Sequence, residues 1–136
     1  MKKNLFSYVV SGEFDVIKDE ILKQGDNFNP NVTGELDYTL LGMVTGRGNV
    51  PLAKLLIDKG ANVNAKDHKG RTPLHYTGEY NFYELAKLLL EAGADLTISN
   101  YFGNQPLWVA VFKAGGQDEL LPLVKLMLDY GANPLH

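Results

Sequence analysis

The segment that decides the fold is Leu85-Ala86-Lys87-Leu88-Leu89-Leu90-Glu91-Ala92-Gly93-Ala94-Asp95. The same pattern ends 33 residues earlier at Gly60-Ala61-Asn62 and 38 residues later at Gly131-Ala132-Asn133. A degenerate earlier copy ends at Gly25. In each copy, apolar residues recur at helical spacing and a glycine follows, which predicts an amphipathic helix closed by a left-handed residue. Self-similarity at a fixed period indicates a repeat protein.

A second pattern of residue types precedes this helix. In the third copy it is Asp67-His68-Lys69-Gly70-Arg71-Thr72-Pro73-Leu74-His75. Asp and Gly predict a turn, Thr72 is suited to cap a helix, and Pro73 suits its first position. Pro51 and Pro122 are then expected in the first turn of the second helix of their units. Each unit is therefore predicted to be a turn, a helix, a short turn and a helix, and stacked neighbours supply the core.

This pattern resembles the ankyrin repeat. The third unit carries the motif almost whole, whereas the fourth has Gln105 and Trp108, and the second has Leu40 and Gly42, at motif positions. The resemblance implies an all-α solenoid of about four helix–turn–helix units with short β-hairpin-like turns between them. We expect one domain over residues 1–136, with units at about 1–29 (an N-terminal cap), 30–66, 67–99 and 100–136. The last unit carries five extra residues, which we place within 114–119.

Composition excludes several classes of protein. The 136 residues contain no cysteine and only three scattered histidines, which argues against a disulfide scaffold, a thiolate site and a zinc site. Apolar runs are too short for a membrane span or a secretory leader. The net charge of −3 does not favour nucleic acid. We predict no metal, no cofactor, no membrane or nucleic-acid partner, and a cytoplasmic location.

Catalysis is not expected. The best candidate for a nucleophile–base pair is His75 with Thr72 and Thr77. The resemblance gives the motif Thr and His structural roles instead, because in the family they bond to the turn and to neighbouring backbone. We therefore predict that the protein is not an enzyme.

The resemblance implies that a partner protein binds a concave groove formed by hairpin tips and first helices. Carried over position by position, the predicted partner-binding residues are Tyr38, Arg47, His68, Lys69, Arg71, Tyr80, Tyr101, Phe102, Asn104, Phe112 and Lys113. Their aromatic and basic character favours an acidic, partly apolar protein surface. In an alternative interpretation, Phe102 and Phe112 pack under the insertion and the basic tips only aid solubility.

The leading hypothesis is a monomeric, non-enzymatic protein–protein interaction module. One alternative is a regulatory or toxin-neutralising protein, since the segment Leu107–Phe112 resembles small stand-alone bacterial ankyrin proteins. Another is a targeting fragment of a larger enzyme-bearing chain, because the family normally continues beyond a position such as His136. Trp108 is expected to be a packed or capping aromatic rather than a binding anchor. The insertion has two interpretations, a binding loop or a tolerated surface loop.

Overall fold

The computed structural model describes residues 4–115 and 121–135. Within them the chain forms eight α-helices and no strand, and a single bridge joins Thr33 to Thr39. The helices are α1 (Leu5–Ser11), α2 (Phe14–Gln24), α3 (Leu40–Gly46), α4 (Val50–Asp58), α5 (Pro73–Tyr80), α6 (Tyr83–Glu91), α7 (Pro106–Ala114) and α8 (Leu121–Asp129). Short 3₁₀ turns cover Gly25–Asn27 and Glu35–Asp37. The all-α prediction is confirmed.

Polar side chains cap the first turns of several helices. Side chains of Asn4, Thr39 and Asn49 each accept a hydrogen bond from a backbone N–H in the first turn of their helix. Thr72 occupies the N-cap position of α5, and Pro73 is its first residue. The second residues of α4 and α8 are prolines, as the register predicted. Proline is tolerated there because the first N–H groups of a helix have no intrahelical partner.

The outer helices α4, α6 and α8 each end two residues before a repeated glycine. Gly60, Gly93 and Gly131 have φ values of 96°, 94° and 101°. This left-handed conformation is costly for a residue with a Cβ atom and is readily adopted by glycine. The predicted helix stops are therefore confirmed.

The helices form two rows. The inner row is α1, α3, α5 and α7, and the outer row is α2, α4, α6 and α8. Each inner helix packs on the outer helix that follows it, and consecutive inner helices contact one another. In the outer row α4 contacts α6, and α6 contacts α8.

Equivalent positions of successive units build the core. Fully or almost fully buried side chains recur at the repeat spacing: Leu41, Leu74 and Leu107 in the inner row, Leu52, Leu85 and Leu123 in the outer row, and Leu56, Leu89 and Met127 one helical turn later. Ile17 and Ile21 of α2 extend this core to the first pair of helices. The core is therefore a continuous layer between the two rows, as expected for stacked repeats.

Loops are joined between units by hydrogen bonds. At the hairpin tips, the His68 N–H donates to the Leu36 carbonyl and the Tyr101 N–H donates to the Lys69 carbonyl, both at 2.9 Å. On the outer side, the side-chain oxygens of Asn31 and Asn64 accept hydrogen bonds of 2.7 Å from the N–H groups of Asn62 and Asp95. These bonds hold consecutive turns in line.

The predicted insertion begins at the end of α7. The helix α7 ends at Ala114 and Gly115 follows in a left-handed conformation. The rest of the predicted insertion, from residue 116 onward, lies outside the described residues. None of the described helices has the length and apolar character required to cross a membrane.

Candidate protein-binding surface

Asp67 organises the hairpin tip of the third unit. Its Oδ1 accepts hydrogen bonds from the N–H groups of Lys69 (2.9 Å) and Arg71 (3.0 Å). Its Oδ2 accepts from Arg71 Nε at 2.9 Å and from the Tyr76 hydroxyl. Burial alone would raise the pKa of Asp67, but these hydrogen bonds and the nearby Arg71 charge lower it. The carboxylate therefore stays ionised and fixes both the tip and Tyr76 of α5.

His75 links the third unit to the fourth. Its Nδ1 accepts a hydrogen bond of 3.0 Å from the Thr72 N–H, and the Thr72 hydroxyl lies 2.9 Å from the same nitrogen. Its Nε2 faces the Asn104 carbonyl at 2.9 Å, so Nε2 carries the proton and donates. Burial lowers the pKa of His75 and favours the neutral ring. Nδ1 therefore caps the start of its own helix α5, and Nε2 joins the third unit to the fourth.

Four of the predicted binding residues meet at one pocket. Tyr38, Arg47, Arg71 and Tyr80 line a pocket of about 360 Å³ between the hairpin tips and helices α1, α3 and α5. We call it the groove pocket. Its other lining residues are Val9, Val10, Gly42, Met43, Gly46 and Tyr76.

Five predicted residues lie on the hairpin tips. The ring of His68 packs edge-on against Tyr38, with ring centroids 5.6 Å apart. Tyr101 and Phe102 are each 74% exposed. Lys69 is also exposed, and the carbonyl of Asn104 accepts the His75 hydrogen bond. The tips therefore present two adjacent aromatic side chains to solvent.

The last two predicted residues lie at the end of α7. Phe112 is 65% exposed, and its ring centroid is 6.2 Å from that of Trp108. Trp108 itself is half-buried. Lys113 Nζ forms an ion pair of 3.0 Å with Glu79 of α5.

Internal contacts occupy much of the predicted basic charge. Arg71 is paired with Asp67, and Lys113 is paired with Glu79. Arg47 donates from Nη1 to the carbonyls of Val9 (3.1 Å) and Val10 (3.2 Å) at the end of α1. Ion pairing therefore offsets the charges of Arg71 and Lys113, whereas Arg47 keeps its charge because its two acceptors are neutral carbonyl groups.

The comparison with known families decides the identity of the fold. The family model described as Ankyrin repeats (3 copies) matches residues 5–100. The chain belongs to the ankyrin repeat family. Ankyrin repeats are protein–protein interaction modules and are typically non-enzymatic.

Curated relatives share parts of this ankyrin array. The chain is 35% identical over 77 residues to the RelA-associated inhibitor of Mus musculus, an alignment that covers 57% of this chain and 9% of the relative. It is 39% identical over 57 residues to the ankyrin repeat-containing protein P1E11.10 of Schizosaccharomyces pombe, covering 41% of this chain and 28% of the relative. The aligned segments thus span less than a third of the length of either relative.

Sequence reasoning missed part of the ankyrin surface. Val10 is 68% exposed and Met43 is half-buried, and both line the groove pocket. With Tyr38 they also line an adjoining pocket of about 370 Å³ that reaches Phe6 and Leu36. The 33-residue period offered a signal for Met43, because Met43, Tyr76 and Val109 are equivalent positions. No comparable signal marks Val10.

Proposed function

We propose that this chain is a non-enzymatic protein-binding module that holds a partner protein along its hairpin tips and inner helices. The observation that carries the proposal is the exposure of aromatic side chains on this side of the array. Tyr80 is 54% exposed, and Tyr101 and Phe102 are each 74% exposed. Aromatic residues are enriched at protein interfaces and often supply much of the binding energy.

Rigidity of the surface supports the proposal. The tip of the third unit is fixed by Asp67, and α5 is tied to the next tip through His75. Side chains that are already ordered lose little conformational entropy on binding. A preorganised surface of this kind favours recognition without rearrangement.

The proposal includes the chemistry of the partner and the setting. An acidic, partly apolar surface would complement Lys69, Arg47 and the exposed aromatic rings. We further propose that the module is a monomer, which leaves these tips open, and that it acts in the cytoplasm, where a chain without cysteine has no need of oxidising conditions.

The test is a paired substitution. Tyr80→Ala with Tyr101→Ala should weaken partner binding by about tenfold or more, the loss typical of interface anchors. The partner is first captured from a lysate of the native host and identified by mass spectrometry, and its Kd is then measured with purified proteins. The control is Tyr83→Ala with Tyr130→Ala, which removes two exposed tyrosines beside the outer row. Unchanged affinity in the Tyr80/Tyr101 variant would contradict the proposal.

A second candidate is a regulatory module that inhibits the protein it binds. The likeness to a protein named as an inhibitor favours this candidate. A toxin-neutralising protein belongs to the same class. In this case the captured partner should be a single stoichiometric protein, such as a nuclease, whose activity falls when the purified chain is added. Several unrelated partners with unchanged activities would instead indicate an adaptor.

A further inference from the structure

Arg47 is a cation held in place beside the groove pocket. It follows the last residue of α3, and its Nη1 donates to two carbonyls at the end of α1. Its guanidinium carbon lies 5.9 Å from the centroid of the Phe14 ring. Cations favour helix C-termini because the last carbonyl groups carry partial negative charge. These contacts fix the position of the guanidinium before any partner arrives.

The charge of Arg47 is not matched by a carboxylate. Over residues 4–115 and 121–135, ion pairs join Arg71 to Asp67 and Lys113 to Glu79, and none includes Arg47. Its hydrogen bonds to described residues are donated by Nη1, which leaves the N–H groups of Nε and Nη2 as donors for a ligand. Arg47 therefore differs from Arg71, the other arginine of the groove pocket.

The remainder of the groove pocket is apolar or aromatic. Val10, Tyr38, Met43, Tyr76 and Tyr80 contribute its larger uncharged side chains, and no Asp or Glu lines it. Gly42 and Gly46 of α3 have no side chain to fill the floor. The volume of about 360 Å³ lies in the range of pockets that bind ligands, about 300–1,000 Å³.

The shape of the surface favours a segment of a protein over a free small molecule. The groove pocket shares Val10, Tyr38 and Met43 with the adjoining pocket of about 370 Å³. Together they form a trough that runs from Leu36 to Tyr80. A trough of this extent suits consecutive residues of an extended chain.

We propose that the groove pocket binds an apolar side chain of a partner protein together with an adjacent Asp or Glu, whose carboxylate pairs with Arg47. The apolar side chain lies against Met43 and Tyr80, and the carboxylate accepts hydrogen bonds from the free N–H groups of the guanidinium. Charge complementarity selects the acidic residue, because Arg71 is already paired with Asp67, whereas Arg47 forms no ion pair with a described residue and no Asp or Glu lines the pocket. This inference rests on the proposed function and specifies which residues of the partner protein occupy the groove pocket.

The test uses displayed peptide libraries on the full chain. Both libraries have random flanks, and their fixed central pairs are Glu-Phe and Gln-Phe. The Glu-Phe library should yield the tighter binders. A synthetic binder is then measured by fluorescence anisotropy in Glu and Gln forms against the wild-type chain and the Arg47→Gln variant. With the wild-type chain the Gln form should bind about tenfold more weakly, and with Arg47→Gln the two forms should bind equally.

Matched variants separate charge pairing from damage to the fold. Lys87→Gln removes one positive charge from the exposed face of α6 in the outer row and should leave both peptide affinities unchanged. The Gln peptide should bind the wild-type chain and Arg47→Gln alike, which shows that the pocket survives the substitution. Met43→Ala should weaken both peptides by a similar factor, because it reduces the apolar contact.

Three outcomes would overturn the inference. They are equal enrichment of the two libraries, an equal Glu-to-Gln effect in wild type and Arg47→Gln, and a lack of binders from both libraries. Each of them leaves the proposed function to be judged separately by the captured partner and the Tyr80/Tyr101 variant.

Discussion

Two buried polar side chains organise the centre of the array: Asp67 fixes the tip of its own unit, and His75 joins that unit to the next. Asp67 and His75 are 6% and 2% exposed, and each uses its polar atoms in hydrogen bonds to a turn. Gly42 and Trp108 occupy the positions 33 residues before and after His75. The histidine link between a helix and the next tip therefore belongs to the third unit, and neighbouring units use other contacts.

The pH dependence of stability should reveal His75. Burial lowers its folded pKa below the ordinary value of 6.5, so the unfolded chain binds the proton more readily than the folded chain. The contribution of neutral His75 to the stability of the folded chain is complete above pH 6.5 and is lost as the pH falls through the folded pKa. Urea denaturation should thus give a lower free energy of unfolding at about pH 5.5 than at about pH 7.5, with a slope of at most about 1.4 kcal/mol per pH unit from this group.

His75→Gln is the control for this prediction. Glutamine does not titrate, so this variant should show a flatter dependence over the same range. Asp67 does not interfere, because its lowered pKa starts from 3.8 and its contribution is lost only at more acidic pH. An equally steep dependence in the variant would assign the effect to other groups.

Helix packing in the inner row depends on small residues at the points of closest approach. A Cβ atom added at Gly78 of α5 would lie 3.0 Å from the backbone nitrogen of Ala110 and 3.2 Å from the carbonyl oxygen of Pro106. Both atoms belong to the backbone of α7 and cannot move independently. At Gly46 of α3, the nearest atom to an added Cβ is a ring carbon of Tyr76 at 3.7 Å, an ordinary contact.

Gly78→Ala should therefore destabilise the protein, although alanine is the better helix former. Helix propensity favours alanine by about 1 kcal/mol, while forced separation of packed helices costs about 1–3 kcal/mol. We expect the free energy of unfolding to fall by up to about 2 kcal/mol, the packing cost less the gain in helix propensity. Gly46→Ala should leave stability unchanged or raise it by up to about 1 kcal/mol. Equal effects of the two substitutions on the free energy of unfolding would show that the close approach of α7 to Gly78 does not disfavour a Cβ atom there.

The whole molecule is a linear stack in which helix pairs contact their neighbours. Such arrays have stabilities that approximate a sum of unit and interface contributions. An end pair has one neighbour and a middle pair has two. Loss of the same amount of apolar contact should therefore destabilise only the nearby helices at the end of the stack, and helices on both sides in its middle.

Ile21→Ala and Leu89→Ala compare these two cases. Both side chains are fully buried in the outer row, in the first pair and in the α5–α6 pair, respectively. Each substitution should destabilise the helix pair that contains it by about 2–5 kcal/mol. In amide hydrogen exchange, Ile21→Ala should lose protection mainly in its own pair, α1 and α2. Leu89→Ala should lose protection in its own pair and in both neighbouring pairs, from α3 to α8. The same pattern of lost protection in both variants would contradict a stack of separable pairs.

Much of the fold could be predicted from the sequence because its determinants lie close together along the chain. Helical spacing of Leu85, Leu89 and their equivalents, the caps such as Thr72, and the glycine stops act within one unit. The binding surface was harder to predict. The exposed positions of Tyr80 and Tyr101 follow from the repeat pattern, but the internal pairing of Lys113 with Glu79 joins residues of two units.

The sequence by itself determined the repeat, the alternation of turns and helices, and the caps and glycine stops of the helices, since periodicity and capping are local properties. Only the tertiary structure decided which side chains of different units meet. Stacking placed Arg47 on the carbonyl groups of α1 and brought Met43 and Val10 to the same pocket as Tyr80. Those contacts depend on how far each unit is shifted and rotated relative to the next, and that geometry is set by packing between units.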